Sequence, residues 1–345
     1  MVETMINTVY RLVSPKLFEE IYDETEDLEN NVVVRPTYLS ICQADQRYYN
    51  GSRDPETLAE KLPMALIHEG IGEVVSDNTG NFQIGDLVVI IPNTPIEKDD
   101  IISENYLKSS KFRASGFDGF MQDYIISNPE RLVKLPVDIN KKVASFTELI
   151  SVSVHSITRF SEISHSRKAK IGVWGDGNLG YITSLLLKIF FPESEIIVFG
   201  KNEEKLNIFT FVDETFKINE IPNNLNIDHA FECVGGRGSQ LAVDQIIDLI
   251  NPEGTISLLG VSEYPVPVNT RMILEKGLFL FGTSRSGRKD FIKTIELFEK
   301  YPKILKYLEN IINDVVEIKT LNDINLAFEK DFNSTFGKTV LIWNK

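Results

Sequence analysis

Two rhythms of apolar and polar residues divide the chain. Up to about residue 150, apolar residues come in short runs punctuated by turn formers. Val32-Val33-Val34 is an apolar run closed by Pro36. Gly70-Ile71-Gly72-Glu73-Val74-Val75 alternates before a polar Ser-Asp-Asn-Thr-Gly turn, and Gly85-Asp86 leads into Leu87-Val88-Val89-Ile90-Ile91. Such spacing predicts short antiparallel strands in a barrel-like domain over residues 1–150. Residues 93–115 interrupt the pattern: they are polar, carry Lys98, Lys108, Lys111 and Arg113, and run into the turn-rich Gly116-Phe117-Asp118-Gly119, which predicts a long surface lobe. The acidic stretch Asp23-Glu24-Thr25-Glu26-Asp27 reads as a solvated loop.

From about residue 151 strands alternate with helices. Ile171-Gly172-Val173-Trp174 enters a glycine turn, Tyr181 to Phe190 continues as an apolar helix, and Glu195 to Gly200 is the next strand. Asp228 to Val234 and Thr255 to Gly260 read as strands flanking a helix over 239–250. This is the pattern of an α/β, doubly wound parallel sheet over residues 151–288. A helix from Lys289 to Lys300 and a last strand, Thr339 to Trp343, are expected to carry residues 289–345 back to the first domain.

Composition changes the picture little. A chain of 345 residues exceeds what one compact core usually serves, which agrees with two domains. The net charge of −14 opposes nonspecific attraction to nucleic acid or anionic lipid. No run of about eighteen uncharged apolar residues occurs, and the first residues lack the order of a signal peptide. With only Cys42 and Cys233 there is no disulfide framework, and a cytoplasmic location is expected.

The chemistry resides in two groups of residues. Gly175-Asp176-Gly177-Asn178-Leu179-Gly180 follows a predicted strand and opens a predicted helix. In that context Gly175 makes the tight turn, Gly177 lets backbone approach a pyrophosphate, and Gly180 lets helix and strand pack closely. The second strand of this domain ends Phe199-Gly200-Lys201, with no acid where an NAD-specific site would grip the ribose 2′-hydroxyl. Gly200 leaves room for a 2′-phosphate and Lys201 with Lys205 could neutralise it, so NADP is favoured over NAD. The competing reading makes these lysines merely solvated. Val234, Gly260 and Ser284, near the ends of later strands, complete the candidate cofactor set.

The second group is Cys42, His68, Glu69 and Glu148. A thiolate, an imidazole and one or two carboxylates can hold a four-coordinate zinc with one position open to substrate. Taken singly, Cys42 also fits a small buried apolar residue and His68 a satisfied core histidine. Asp45, three residues after Cys42, is a candidate acceptor for the His68 imidazole, as carboxylates behind metal-bound histidines often are. Whether Glu69 or Glu148 binds directly stays open. Arg47 and Arg53, with Lys108 or Lys111 from the lobe, are candidates for a substrate phosphate; solvent-facing or ion-paired side chains explain them equally well. His155, His165 and His229 read as structural.

The order of Cys42-Gln43-Ala44-Asp45, His68-Glu69-Gly70, Gly85-Asp86, Gly119 to Tyr124, Glu148, Gly175 to Gly180 and Glu232-Cys233-Val234-Gly235 resembles the zinc-containing medium-chain dehydrogenase/reductase family. Longer runs, such as Ser40 to Tyr49, Pro92 to Ser110 and His229 to Ser239, are most similar to its ribulose-5-phosphate reductases, which make ribitol 5-phosphate for ribitol teichoic acids and related CDP-ribitol polymers. The resemblance implies a GroES-like catalytic domain, a Rossmann cofactor domain, a zinc and nicotinamide cleft, and dimers or tetramers. It also implies NADPH-linked reduction at C2 of D-ribulose 5-phosphate, and a cytidylyltransferase as a partner in the same pathway. Two departures stand out. The 93–115 lobe has no cysteines for a structural zinc, so one zinc is expected, and Ala44 replaces a hydroxyl residue that often begins the proton relay. Two alternatives remain: another polyol or polyol-phosphate dehydrogenase using NAD, and a noncatalytic partner of a cytidylyltransferase.

Overall fold

The computed structural model describes residues 5–25 and 28–345. The chain divides into two compact units, one formed by residues up to Leu149 together with Ser286–Lys345, the other by Ile150–Arg285.

The first unit is built mainly on antiparallel pairing. Its larger sheet runs through Leu132–Lys134, Leu87–Ile90, Glu69–Asp77, Val32–Ser40, Lys338–Trp343 and Ile312–Ile318, with Ile125–Ser127 also paired to Val32–Ser40. Alternating side chains of these strands bury one apolar face, where Leu39, Val74, Phe120, Phe328 and Leu341 meet. The last strand sets Val340 opposite Ser40, so the C-terminal residues support the strand that leads to Cys42. Pro36 does not close its strand. The pairing continues to Ser40, with a register shift between Pro36 and Tyr38, because a proline can be absorbed where the ladder is interrupted. Gly72 opposite it must lack a side chain, since a Cβ there would stand 2.4 Å from the Arg35 carbonyl oxygen.

The acidic stretch expected as a loop is partly strand. Asp23, Glu24 and Thr25 end Leu17–Thr25 and pair with Met5–Ser14, while Glu26 and Asp27 lie outside the described residues. The antiparallel ladder with Met5–Ser14 holds these residues extended through their backbone, which charge counting overlooks.

In the 93–115 lobe, Asn93–Thr94 pairs with Lys111–Phe112. Here a charge cluster does the holding. Arg131, almost fully buried, reaches both oxygens of Glu104 at 2.8 and 3.3 Å, and Glu104 also accepts from the Arg288 backbone N–H at 2.7 Å. Planar guanidinium on carboxylate is the geometry that makes such a pair directional.

The second unit is a six-stranded sheet in the order Glu214–Lys217, Glu195–Gly200, Lys170–Trp174, Ile227–Glu232, Ile250–Leu258, Phe279–Gly282. Every neighbouring pair is parallel, and the chain reverses direction of build between Lys170–Trp174 and Ile227–Glu232. That is the doubly wound topology in which ligands bind beyond the carboxyl ends of the central strands. The central strands Lys170–Trp174 and Ile227–Glu232 are buried almost along their whole length, as strands of a parallel sheet covered on both faces are.

His229 lies in one of those strands and is structural. Its Nδ1 accepts from the Thr255 N–H at 3.1 Å and its Nε2 meets the Arg167 carbonyl at 3.0 Å, a pairing that only the neutral ring with its proton on Nε2 satisfies. Burial, with nearby His165 and Lys168, pushes its pKa down to about 4. An unfolded histidine titrates near 6.5, so between pH 6.5 and 4 the unfolded chain binds a proton that the folded chain refuses. Stability contributed by the neutral ring is therefore present above pH 6.5 and is lost as pH falls, by up to about 3 kcal/mol. Denaturant midpoints measured from pH 7 to 4.5 should show this loss, and His229→Gln should flatten it; an unchanged slope in the variant would contradict the assignment.

Candidate metal and cofactor sites

Cys42 ends the loop after Val32–Ser40 and caps the short helix Gln43–Tyr49, whose N-terminal turn brings Asp45 back beneath it. His68 and Glu69 enter the strand Glu69–Asp77. Among the described residues these three form one cluster able to hold a metal: one ligand atom from each lies within 4.8 Å of the others. Glu148, in the first turn of Thr147–Ile163, stands outside that set but is buried and electrostatically linked to His68 and Glu69.

Asp45 does not hold the imidazole directly. Its Oδ1 is 3.8 Å from His68 Nδ1, beyond hydrogen-bond length. Instead Oδ2 accepts from the Cys42 N–H at 3.0 Å and Oδ1 from the Ile67 N–H at 2.9 Å. One buried carboxylate thus ties together the backbone beside both ligands. Ile67 has φ +69°, a left-handed conformation that a β-branched residue adopts only under constraint, at a cost of about 1–3 kcal/mol. Asp45 holds its N–H, and its carbonyl accepts from the Phe120 N–H at 2.7 Å. The strain aims His68 into the cluster.

Lys338, which the sequence reading passed over, is the site's buried cation. Its Nζ donates to the Ile41 carbonyl at 2.7 Å and to Glu69 Oε1 at 2.9 Å, and stands 2.8 Å from Oε2 without the alignment of a bond to it. A lysine opening an otherwise apolar last strand was the available signal.

The donor set fits a metal cation. A thiol, an imidazole and a carboxylate bring ligand atoms within 4.8 Å of one another, the mixed sulfur, nitrogen and oxygen set that zinc accepts. Burial works to lower the pKa of His68, yet Asp45, Cys42 and Glu148 drive it up to about 10. Burial pushes Glu148 up to about 7, with Glu69 and Asp45 adding to the rise. Lys338 is also raised, against its own burial, by Glu69 and Cys42. All three groups hold protons more tightly than usual, which marks a pocket short of positive charge. A zinc ion on Cys42, His68 and Glu69 would supply it.

The basic residues put forward for a substrate anion are spread over this unit. Arg53 lies with its guanidinium carbon 4.4 Å over the Tyr48 ring, and its Nε is buried without a hydrogen-bond partner. Arg47 is half-buried in the last turn of Gln43–Tyr49. Lys108 is exposed, and Lys111 sits 4.9 Å over the Phe117 ring.

In the second unit the glycine turn is built as the chemistry requires. Gly175 has φ +131°, and a Cβ on Gly180 would lie 1.9 Å from the Gly175 carbonyl oxygen. Gly177 caps the helix Asn178–Phe190, whose first turn contains Asn178 and Leu179, and space around its Cα is open. Gly175, Gly177, Gly200, Lys201 and Val234 line a cavity of about 190 Å³. Gly260 belongs to its frame: its N–H is bound by the Glu232 carbonyl at 3.0 Å, while the Glu232 carboxylate holds Val234 and Gly235 at 2.9 Å. Lys205 lies in the short helix Glu203–Leu206, and Ser284 is exposed beyond Phe279–Gly282. One expectation is overturned: the end of Glu195–Gly200 does carry a carboxylate, that of Asp176, delivered from the glycine turn.

Residues 28–137 match the alcohol dehydrogenase GroES-like domain and residues 195–300 the zinc-binding dehydrogenase domain. The chain is 58% identical over 339 residues to ribulose-5-phosphate reductase 1 of Staphylococcus aureus, covering 98% of this chain and 99% of that protein. It is 44% identical to the ribulose-5-phosphate reductase of Streptococcus pneumoniae, covering 98% of each. The structure is similar to that of S. aureus TarJ in complex with NADPH, with a TM-score of 0.89 and 52% identity over 99% of this chain and 100% of that one.

Replacing Asp45 by Ala should release both ligand-bearing loops and lower zinc affinity by about 10- to 100-fold. Zinc retained during dialysis against a competing chelator measures this; retention equal to wild type in a folded variant would contradict the role given to Asp45.

Proposed function

The chain belongs to the zinc-containing medium-chain dehydrogenase/reductase family, grouping there with the ribulose-5-phosphate reductases, and on that premise we propose that it reduces D-ribulose 5-phosphate to D-ribitol 5-phosphate with NADPH. The observation that carries this reading is the end-to-end likeness to those reductases in a chain that gathers Cys42, His68 and Glu69. We place the enzyme in the cytoplasm as a homodimer, its product consumed by a cytidylyltransferase that makes CDP-ribitol for wall polymers. The edge strand Phe279–Gly282, with Phe279 exposed, supports the dimer as a surface for self-pairing.

When bound, zinc supplies Lewis acidity to the carbonyl at C2 and NADPH supplies the hydride. Cys42, His68 and Glu69 hold the metal, and Asp45 fixes the backbone from which the first two project. Lys338 balances Glu69, so that the carboxylate does not cancel the charge the carbonyl must feel. Gly175, Gly177 and Gly180 seat the pyrophosphate on the N-terminus of Asn178–Phe190. Lys201 and Lys205 are the cations for the 2′-phosphate, and Arg47 and Arg53 those for the substrate phosphate, with Lys108 and Lys111 in support. Arg53 is the best prepared, being stacked on Tyr48 with a donor still unused.

NADPH oxidation with D-ribulose 5-phosphate should proceed in the purified protein, cease after chelation and return with zinc. Absence of turnover, or equal rates with NADH and unphosphorylated ketopentoses, would favour another polyol dehydrogenase.

Arg53→Ala should raise the Michaelis constant for ribulose 5-phosphate by about ten- to a hundredfold, the worth of one charge-assisted phosphate bond, with little change in kcat. Unchanged kinetics would move the phosphate elsewhere.

A further inference from the structure

The end of the second strand in a doubly wound sheet is where cofactor choice is made. An acid there grips the 2′-hydroxyl of NAD, whereas a small residue beside a basic one admits the 2′-phosphate of NADP. Here the strand Glu195–Gly200 ends in glycine and lysine, but Asp176 reaches across from the glycine turn. Its Oδ2 accepts from the backbone N–H of Lys201 at 2.7 Å and of Asn202 at 2.8 Å. A Cβ on Gly200 would stand 2.7 Å from the Asp176 Cβ and 2.9 Å from its Oδ2. Gly200 is therefore glycine to admit the aspartate, and an acid installed at position 200 would displace it. Asp176, Gly200 and Lys201 line the same cavity.

Two consequences pull against the lysine. Paired backbone N–H groups at a strand end are good phosphate donors, and Asp176 occupies both of them. Its carboxylate also carries a negative charge that two N–H dipoles offset only in part, next to the position where a second anion would be bound.

We propose that Asp176 is a specificity-determining residue for the cofactor, one that tempers the preference for the 2′-phosphate created by Lys201. The proposal rests on the NADPH reading above. Asp176→Asn keeps an acceptor oxygen for the two N–H groups and removes the charge; Asp176→Ser removes charge and cap together. NADPH and NADH are titrated separately into the full-length zinc-loaded protein and both variants, following nicotinamide fluorescence, with thermal melts recorded alongside. The NADPH dissociation constant should fall about tenfold in the Asn variant, and that for NADH should stay within about twofold. In the Ser variant the ratio should move the same way. Partial unfolding scales both titrations alike, so the ratio remains readable. An NADPH-to-NADH ratio that is unchanged or moves toward NADH overturns the proposal. So does a failure of both variants to fold, because the role assigned is recognition and not support of the sheet. Equal wild-type affinities for the two cofactors would overturn the NADPH reading instead, while the variants still decide the role of Asp176.

Discussion

Asp45 holds two separated stretches of backbone with one buried carboxylate, and the metal chemistry depends on that crosslink. Cys42 follows one strand and His68 precedes another; pairing of those strands does not by itself fix loops beyond their ends. The hydrogen bonds to Cys42 and Ile67 do, and they sustain the left-handed backbone at Ile67 that a free chain would relax. Burying Asp45 beside Glu69 and Glu148 has an electrostatic consequence as well. Lys338 answers only part of the negative charge, so His68 and Glu148 cling to protons. A zinc ion on these donors would resolve the imbalance, since the groups that leave the pocket short of positive charge surround the candidate ligands.

The parts of this arrangement visible in the sequence are those encoded locally. Strand and helix periods located the strands around Val32, Ile71 and Leu87 and the alternating elements from Ile171 to Gly260, though not Met5–Ser14, Leu17–Thr25 or Ile312–Ile318. The glycine turn declared itself by lying between an apolar strand and an apolar helix. Cys42, His68 and Glu69 stood out as residue types. What the sequence did not reveal is long-range partnership. Lys338 is 269 residues from Glu69, and only the pairing of the last strand with Val32–Ser40 makes them neighbours. Asp45 was expected to meet the His68 ring, yet it meets backbone N–H groups, whose positions depend on a loop conformation no periodicity reports. Pro36 was read as a strand end because proline forfeits a ladder bond; a register shift absorbs the loss.

The strand end at Gly200 shows the same limit in a sharper form. Read along the chain, it lacks an acid; in three dimensions Asp176 supplies one from a turn 24 residues earlier, through the space that Gly200 leaves. The 93–115 lobe has its own substitute for missing chemistry. Without cysteines, it is tied by Glu104 to Arg131 and to the Arg288 backbone, a fixed geometry made from hydrogen bonds.

The central claim is that this buried, proton-rich cluster is a single catalytic zinc site. X-ray absorption at the zinc edge, together with metal analysis of the purified protein, tests it most directly. The account predicts one zinc per chain, bound by one sulfur at about 2.3 Å and by nitrogen and oxygen at about 2.0–2.2 Å. Two zinc ions per chain, or a zinc with no sulfur neighbour, would contradict it.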